Sequence, residues 1–178
     1  RDMRRVFTND SLVRWIPLKR YPSGESVLVP AQLVHWGYST HVYDEPFLRE
    51  ASTSGAAAAP SFDQALLSGL RELIERDAFL IHWLNTLVPQ RLDLHSLSNT
   101  TLAPLVGHLR RYGFGVEIVN VSADLPVPVF AVSLLDGTAG QRGVYVGVGS
   151  GLPVERAVAH AVEEALGVCI WHRRTGRS

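Results

Sequence analysis

The chain has 178 residues, 46% of them hydrophobic, with 17 basic and 17 acidic side chains and a formal net charge of zero. That size and apolar content predict one folded domain, or a large piece of one, and exclude a disordered chain. The balanced charge gives no global attraction to nucleic acid or to a membrane surface.

Cys169 is the one cysteine, so no disulfide can form within the chain and no cysteine zinc cluster is available. This favours a reducing, cytoplasmic setting. Between Val168 and Ile170, Cys169 reads as buried filler. No signal peptide is present and no run of about 18 apolar residues, the length that spans a bilayer. The first residue is Arg1 rather than Met, which suggests a processed chain or part of a longer one.

Residues 1–11 are polar. Leu12–Trp36 carries short strand signals around the turn residues Pro22-Ser23-Gly24. Ser26–Val29 alternates, and Pro30 ends that strand or marks an edge. Residues 37–60 read as loop, ending in Ser52-Thr53-Ser54-Gly55 and the run Ala56–Ala59. A small-residue loop feeding a helix can receive a phosphate on its backbone N–H groups. It can equally be a plain connector, since the G-x-x-x-x-G-K-[ST] pattern is absent.

Ser61–Trp83 then reads as a long amphipathic helix. Ser61 and Gln64 form a capping box, and Pro60 discourages helix upstream. Leu66, Leu70, Leu73, Ile74, Leu80, Ile81 and Leu84 share one arc, which predicts the buried face. Ser68, Glu72, Glu75 and Phe79 lie on the opposite arc. Asp77 falls among the leucines, where an unpaired carboxylate is costly if buried. The helix is expected to end near Val88-Pro89.

Leu94–Leu97 reads as a linker. Thr100–Tyr112 is a second helix, with Leu102, Leu105, Val106 and Leu109 on one face and Gly113 as its stop. Phe114–Val121 is a strand. Val127–Leu135 is nearly continuous in apolar residues and therefore central. Asp136-Gly137 turns the chain, and Gly143–Val148 returns as the partner of an antiparallel hairpin. Leu152–Arg173 is the last helix, with Val154, Ala157, Val158, Ala161, Ala165, Val168 and Cys169 as its buried stripe and Glu163 and Glu164 at the margin. Arg173, Arg174 and Arg177 read as a frayed basic tail. No repeat of 20–50 residues is visible.

The seven histidines show no metal-ligand spacing; His82 and His160 read as surface or satisfied core residues. No G-x-S-x-G and no dinucleotide fingerprint occurs. Glu72-x-x-Glu75-Arg76 remains, and it supports two readings. One is a solvated helix face with an i,i+4 Glu–Arg pair. The other is a carboxylate pair for a hard cation beside a phosphate-binding arginine, because magnesium takes one or two carboxylates together with phosphate oxygens.

The stretches Ser52-Thr53-Ser54-Gly55-Ala56-Ala57-Ala58, Gln64-Ala65-Leu66 and Gly69-Leu70-Arg71-Glu72-Leu73-Ile74-Glu75-Arg76-Asp77-Ala78 resemble the YcaO family. Trp15–Ala31 and Gly147–Ala165 look like further segments of that family in the same order. The resemblance implies an α+β fold with a mixed, largely antiparallel sheet and packed helices. It implies an ATP- and Mg2+-dependent cyclodehydratase that phosphorylates a peptide amide oxygen while a Cys, Ser or Thr side chain closes an azoline; relatives make thioamides or amidines.

By the same resemblance Glu72 and Glu75 hold magnesium, Glu164 joins them through a segment similar to Arg-Ala-Leu-Thr-Glu-Ala, and Arg76 contacts phosphate. Ser54, Gln64 and Ser68 complete the nucleotide-binding candidates. Expected partners are a precursor peptide, an E1-like leader-binding protein, a flavin dehydrogenase and a second copy in a homodimer, with no nucleic acid or membrane. Residues 1–178 are expected to form one partial domain. The family's first acidic motif would precede Arg1, and its C-terminal segment is missing. Gly167 and Cys169 stand where relatives carry Gln and Arg. The alternative is therefore a catalytically inactive scaffold that binds a precursor peptide or partner enzyme.

Overall fold

The computed structural model describes residues 7–49, 51–93, 102–137 and 143–175. They divide into two compact units, Arg1–Thr53 and Ser54–Ser178. No helix among the described residues is long and apolar enough to cross a membrane.

In the first unit β1 (Trp15–Lys19) and β2 (Ser26–Pro30) pair antiparallel, with Trp15 opposite Pro30 and Lys19 opposite Ser26. The expected turn closes them: Gly24, in the left-handed region, donates its N–H to Arg20 O at 2.8 Å. A 3-10 turn, Ala31–Leu33, follows. Residues 37–60 are not all loop, since Thr40–Tyr43 forms one helical turn, α1. Four residues are too short for any periodicity to show. Two buried polar side chains hold the unit's irregular chain. Gln32 donates to Pro46 O at 3.1 Å and accepts from Leu48 N at 2.9 Å. Glu45 Oε1 accepts from Arg14 N at 3.1 Å and Tyr38 Oη at 2.9 Å.

The second unit is a four-stranded antiparallel sheet in the order β3-β4-β5-β6 with helices on both faces. Its elements are α2 (Phe62–Leu84), β3 (Gln90–Arg91), α3 (Leu102–Arg111), β4 (Phe114–Asn120), β5 (Val129–Asp136), β6 (Gly143–Ser150) and α4 (Val154–Thr175). The β5–β6 hairpin forms as expected and β5 is interior to the sheet. The two-residue β3 has no sequence signal of its own. The linker at Leu94–Leu97 and the hairpin tip at 138–142 lie outside the described residues.

Alternation along β5 divides the core. Phe130, Val132 and Leu134 pack with Leu102, Val106 and Leu109 of α3 and with Ala157, Val158, Ala161, Val162 and Ala165 of α4. Val129 and Ala131 face the other way, toward Ala78, Ile74 and Phe79 of α2 and Val148 of β6. The α4 stripe differs from expectation at three positions: Val162 is buried, Val154 is half-buried and Val168 is 44% exposed. Arg173 also departs from its reading as tail. It lies within α4 and pairs at 2.5 Å with Asp136, whose side chain is fully buried.

The larger correction concerns α2. Its expected apolar arc is not the buried one: Leu70 is 46% exposed, Leu80 47% and Leu84 74%, whereas Gly69, Glu75 and Ala78 are buried. Small residues let a helix approach its neighbours closely, so Ala78 docks on the sheet and Gly69 lies under the preceding loop. Asp77 consequently sits in solvent and incurs no burial cost.

Candidate functional site

The strand β6 is the edge of the sheet, and its glycines set how closely α4 lies on it. A Cβ on Gly147 would fall 2.0 Å from Ala161 O, and one on Gly149 would fall 2.0 Å from Ala157 O. Glycine on the strand facing alanine on the helix is thus a steric requirement. The close approach lets Glu164 reach the outward-facing backbone of the edge strand, where Val148 N donates to its Oε2 at 2.6 Å. An edge N–H that would otherwise be open to another strand is satisfied by a side chain of the same unit.

On the other side α2 is fixed by its own start. Ser61 caps the helix, its Oγ accepting from Gln64 N at 3.4 Å. The preceding loop lies directly on the helix: Gly55 has positive φ, and a Cβ on Gly69 would sit 2.5 Å from Gly55 O. Gly55 N–H donates to Glu72 Oε2 at 3.2 Å. Gly55 therefore serves a tight loop–helix contact.

Between α2, the end of β6 and α4 lies a cleft of about 680 Å3. Ser68, Glu72, Glu75, Arg76 and Glu164 all line it. Arg76 Nη2 and Glu164 Oε1 form an ion pair at 2.6 Å across 88 residues of sequence. Ser54 and Gln64 are not among the lining residues. Ser54 precedes the Gly55 contact, and Gln64 lies exposed in the first turn of α2, while Ala56 and Ala57 form the wall at that end.

Burial pushes the Glu75 carboxyl above its ordinary range. The Ser150 hydroxyl, the charge on His160 and the Ser150 backbone N–H partly offset this, and the Glu164 charge adds to the rise. Ser150 Oγ is itself buried and makes no aligned hydrogen bond. A carboxyl whose charge burial disfavours gains from a nearby cation.

Sequence reading missed Arg71, Ser150, Arg156, His160 and Glu163, all of which line the cleft. His160 carried an available signal: it precedes Glu164 by four residues and so shares its helix face. His82, by contrast, is satisfied locally, its Nδ1 lying 3.1 Å from Ala78 O. Among the described residues no three His, Cys, Asp or Glu side chains converge to hold a metal by themselves. The donor set instead fits a hard cation that brings ligands of its own, as magnesium does on phosphate oxygens.

The family described as YcaO cyclodehydratase, ATP- and Mg2+-binding, matches residues 2–177. An uncharacterized protein in the tfuA 3′ region of Rhizobium leguminosarum bv. trifolii is 29% identical over 123 residues, 67% of this chain and 29% of that protein. An uncharacterized protein of Methanothermobacter thermautotrophicus is 28% identical over 159 residues, 86% of this chain and 40% of that protein. The chain thus spans well under half the length of either relative.

Three solved structures share the fold. A heterocyclase in complex with substrate and cofactor matches at TM-score 0.77 and 24% identity, over 90% of this chain and 21% of the other. YcaO from Methanopyrus kandleri bound with AMPPCP and Mg2+ matches at 0.74 and 23%, over 92% and 42%. The E. coli microcin synthetase McbBCD complex with pro-MccB17 bound matches at 0.70 and 17%, over 92% and 42%.

Proposed function

The chain belongs to the YcaO family of cyclodehydratases, and on that premise we propose that its α2–α4 cleft binds MgATP to modify backbone amides of a precursor peptide. The observation that carries this reading is the convergence of Glu72, Glu75 and Arg76 from α2 with Glu164 from α4 in one cleft. Spacing along a single helix left that triplet ambiguous. Convergence with a distant carboxylate favours a site over a solvated face.

When bound, MgATP supplies the phosphoryl group that turns an amide oxygen into a leaving group. The protein's own part is positioning and charge compensation, which carry most of the catalysis in phosphoryl transfer. Glu72 and Glu75 would hold magnesium. Glu72 is anchored by the Gly55 N–H, and Glu75 is a buried carboxyl that gains from a cation. Both oxygens of Glu164 are engaged, one by Arg76 and one by Val148 N. Glu164 would therefore join the ion once Arg76 turns to phosphate. Ser68 would donate to the nucleotide from the same helix face, with Ser54 and Gln64 at the loop end.

The product class within this reading is an azoline formed from Cys, Ser or Thr. The relatives in complex with substrate and with pro-MccB17 support a peptide substrate. McbBCD supports protein partners here, of which an E1-like leader-binding protein and a flavin dehydrogenase are the proposed kinds, with a homodimer as a further assembly.

The test is calorimetric titration of the full-length protein with MgATP. Micromolar to sub-millimolar binding is expected, with a loss of about tenfold or more in Glu75→Gln, the scale of one charge-assisted contact. No heat at millimolar nucleotide from a folded protein would reject the reading. The Arg76–Glu164 pair, satisfied without any ligand, favours the second reading of a non-catalytic scaffold. That reading predicts peptide or partner binding unaffected by Glu75→Gln.

A further inference from the structure

We propose that an aromatic pocket in the first unit is a docking site for a peptide segment that sets an aromatic side chain beside a carboxylate. All of its lining residues belong to that unit, so it does not rest on the reading of the α2–α4 cleft.

The pocket holds about 590 Å3. Trp15 lines it from β1 and Tyr43 from α1, while Trp36 and Tyr38 come from a turn in which Tyr38 N donates to His35 O at 3.3 Å. Three of these rings are widely open to water: Trp15 is 53% exposed, Trp36 76% and Tyr43 44%. Exposed rings scattered singly need no explanation, but rings gathered about one concavity mark a binding surface.

Arg14 lines the same pocket, and its position is fixed from two sides. Its Cζ lies 3.9 Å from the centroid of the Tyr43 ring, which is itself 5.0 Å from the Tyr38 ring. Glu45 Oε1, on a side chain only 3% exposed, accepts from Arg14 N at 3.1 Å, from Arg14 Nη1 at 3.4 Å and from Tyr38 Oη at 2.9 Å. One buried carboxylate thus orders both the guanidinium and a ring of the wall. The Arg14 side chain remains 55% exposed, so part of its fork is within reach of a ligand. An arginine ordered in advance loses little entropy on binding.

The class of ligand follows from charge. Among the described residues Arg14 is the one Lys or Arg that lines the pocket, and no Asp or Glu does so. A cation is the usual guest of clustered Trp and Tyr rings. Here Arg14 already covers the Tyr43 face, and a second cation would meet like charge. A carboxylate instead matches the guanidinium fork. Glu45 offsets part of the arginine's charge, so a bare anion is held weakly. An aromatic side chain beside the carboxylate supplies the remainder, because ring pairs attract beyond the area they bury. A nucleotide also joins a ring to an anion, but its several phosphate charges face a single, partly offset arginine.

The experiment is calorimetric titration of the full-length protein with the end-blocked peptide Gly-Phe-Asp-Phe-Gly. Three analogues replace its Asp by Asn, its Asp by Lys, or both Phe by Leu. A Kd on the order of 100 μM is expected for the parent peptide. The Asn analogue should bind about tenfold more weakly, the scale of one charge-assisted contact. The Leu analogue should also weaken, and the Lys analogue should give no heat. Trp36→Ala should lose about tenfold or more in affinity and melt with the wild type, since Trp36 is largely exposed. Arg14→Lys, which leaves Glu45 a cation but removes the fork, should abolish the preference for Asp over Asn.

An Asn or Lys analogue that binds as tightly as the parent overturns the proposal, as does full affinity in Trp36→Ala. Loss of MgATP binding in Trp36→Ala overturns it too, by making the rings a surface for a nucleotide base. No heat from the parent peptide at millimolar concentration removes the pocket and leaves the MgATP reading untouched. Asp-selective peptide binding by a protein that binds no MgATP sustains the pocket and removes that reading.

Discussion

The helices α2 and α4 are nearly the same length, 23 and 22 residues, yet they do opposite things with their apolar residues. The first-turn-to-last stripe of α4 is buried, with Ala157, Val158, Ala161, Val162 and Ala165 shut beneath the sheet. α2 instead turns its leucines outward and buries Gly69, Glu75 and Ala78. Both helices nevertheless line the same cleft. The contrast shows that the face a helix buries is set by the closest approach its partner allows, with apolar area second.

The contrast can be broken most strongly at β6. Gly149→Ala places a methyl group 2.0 Å from the Ala157 carbonyl oxygen, backbone that cannot step aside. Lifting α4 off the sheet should cost at least about 3 kcal/mol, the upper range for overpacking, read as a lowered midpoint in urea. An unchanged midpoint would mean that α4 does not rest on the strand as described. Next, Arg173→Ala leaves the fully buried Asp136 carboxylate without its guanidinium. A loss of about 3 kcal/mol is expected, at the low end for breaking a buried pair because the arginine is partly exposed. Asp136→Asn should recover part of it in the double variant.

Glu75→Gln acts on the other helix, with a sign that depends on pH. The folded carboxyl titrates above its unfolded counterpart because burial disfavours its charge. Its favourable contribution to stability is complete below the unfolded pKa and disappears as pH rises through the folded value. Glutamine has no such loss. The melting temperature of Glu75→Gln should therefore rise relative to wild type between pH 4 and pH 7. A constant difference would show that Glu75 is not buried as a carboxyl. The smallest effect is expected at Leu84→Gln, where the side chain is 74% exposed and the change should stay within about 0.5 kcal/mol. A loss above about 1.5 kcal/mol would mean that the leucine face of α2 is covered in the full protein.

Much of the fold was legible in the residues. The Ser61 cap, the Gly113 stop and the apolar runs at 114–121, 127–135 and 143–148 mark elements that differ from those observed by only a few residues. Local signals of this kind depend on backbone chemistry and near neighbours, which a linear chain records. β3 and α1 were not legible, because two and four residues carry no periodicity. The burial of α2 was misread for a different reason: its seven apolar residues outweigh one glycine and one alanine in any pattern count, but only the small ones admit a close neighbour.

The same division runs through the candidate site. Sequence alone determined that Glu72, Glu75 and Arg76 lie together on one helix face, because their spacing permits nothing else. It left open whether that face meets solvent or a ligand. Tertiary structure adds that this face lines a cleft shared with α4, where Glu164 meets Arg76 across 88 residues. The physical reason is that the spacing of charges along one helix is set by its pitch. The meeting of charges from two helices depends on the steric fit of Gly147 and Gly149 against α4, a property of the packed unit.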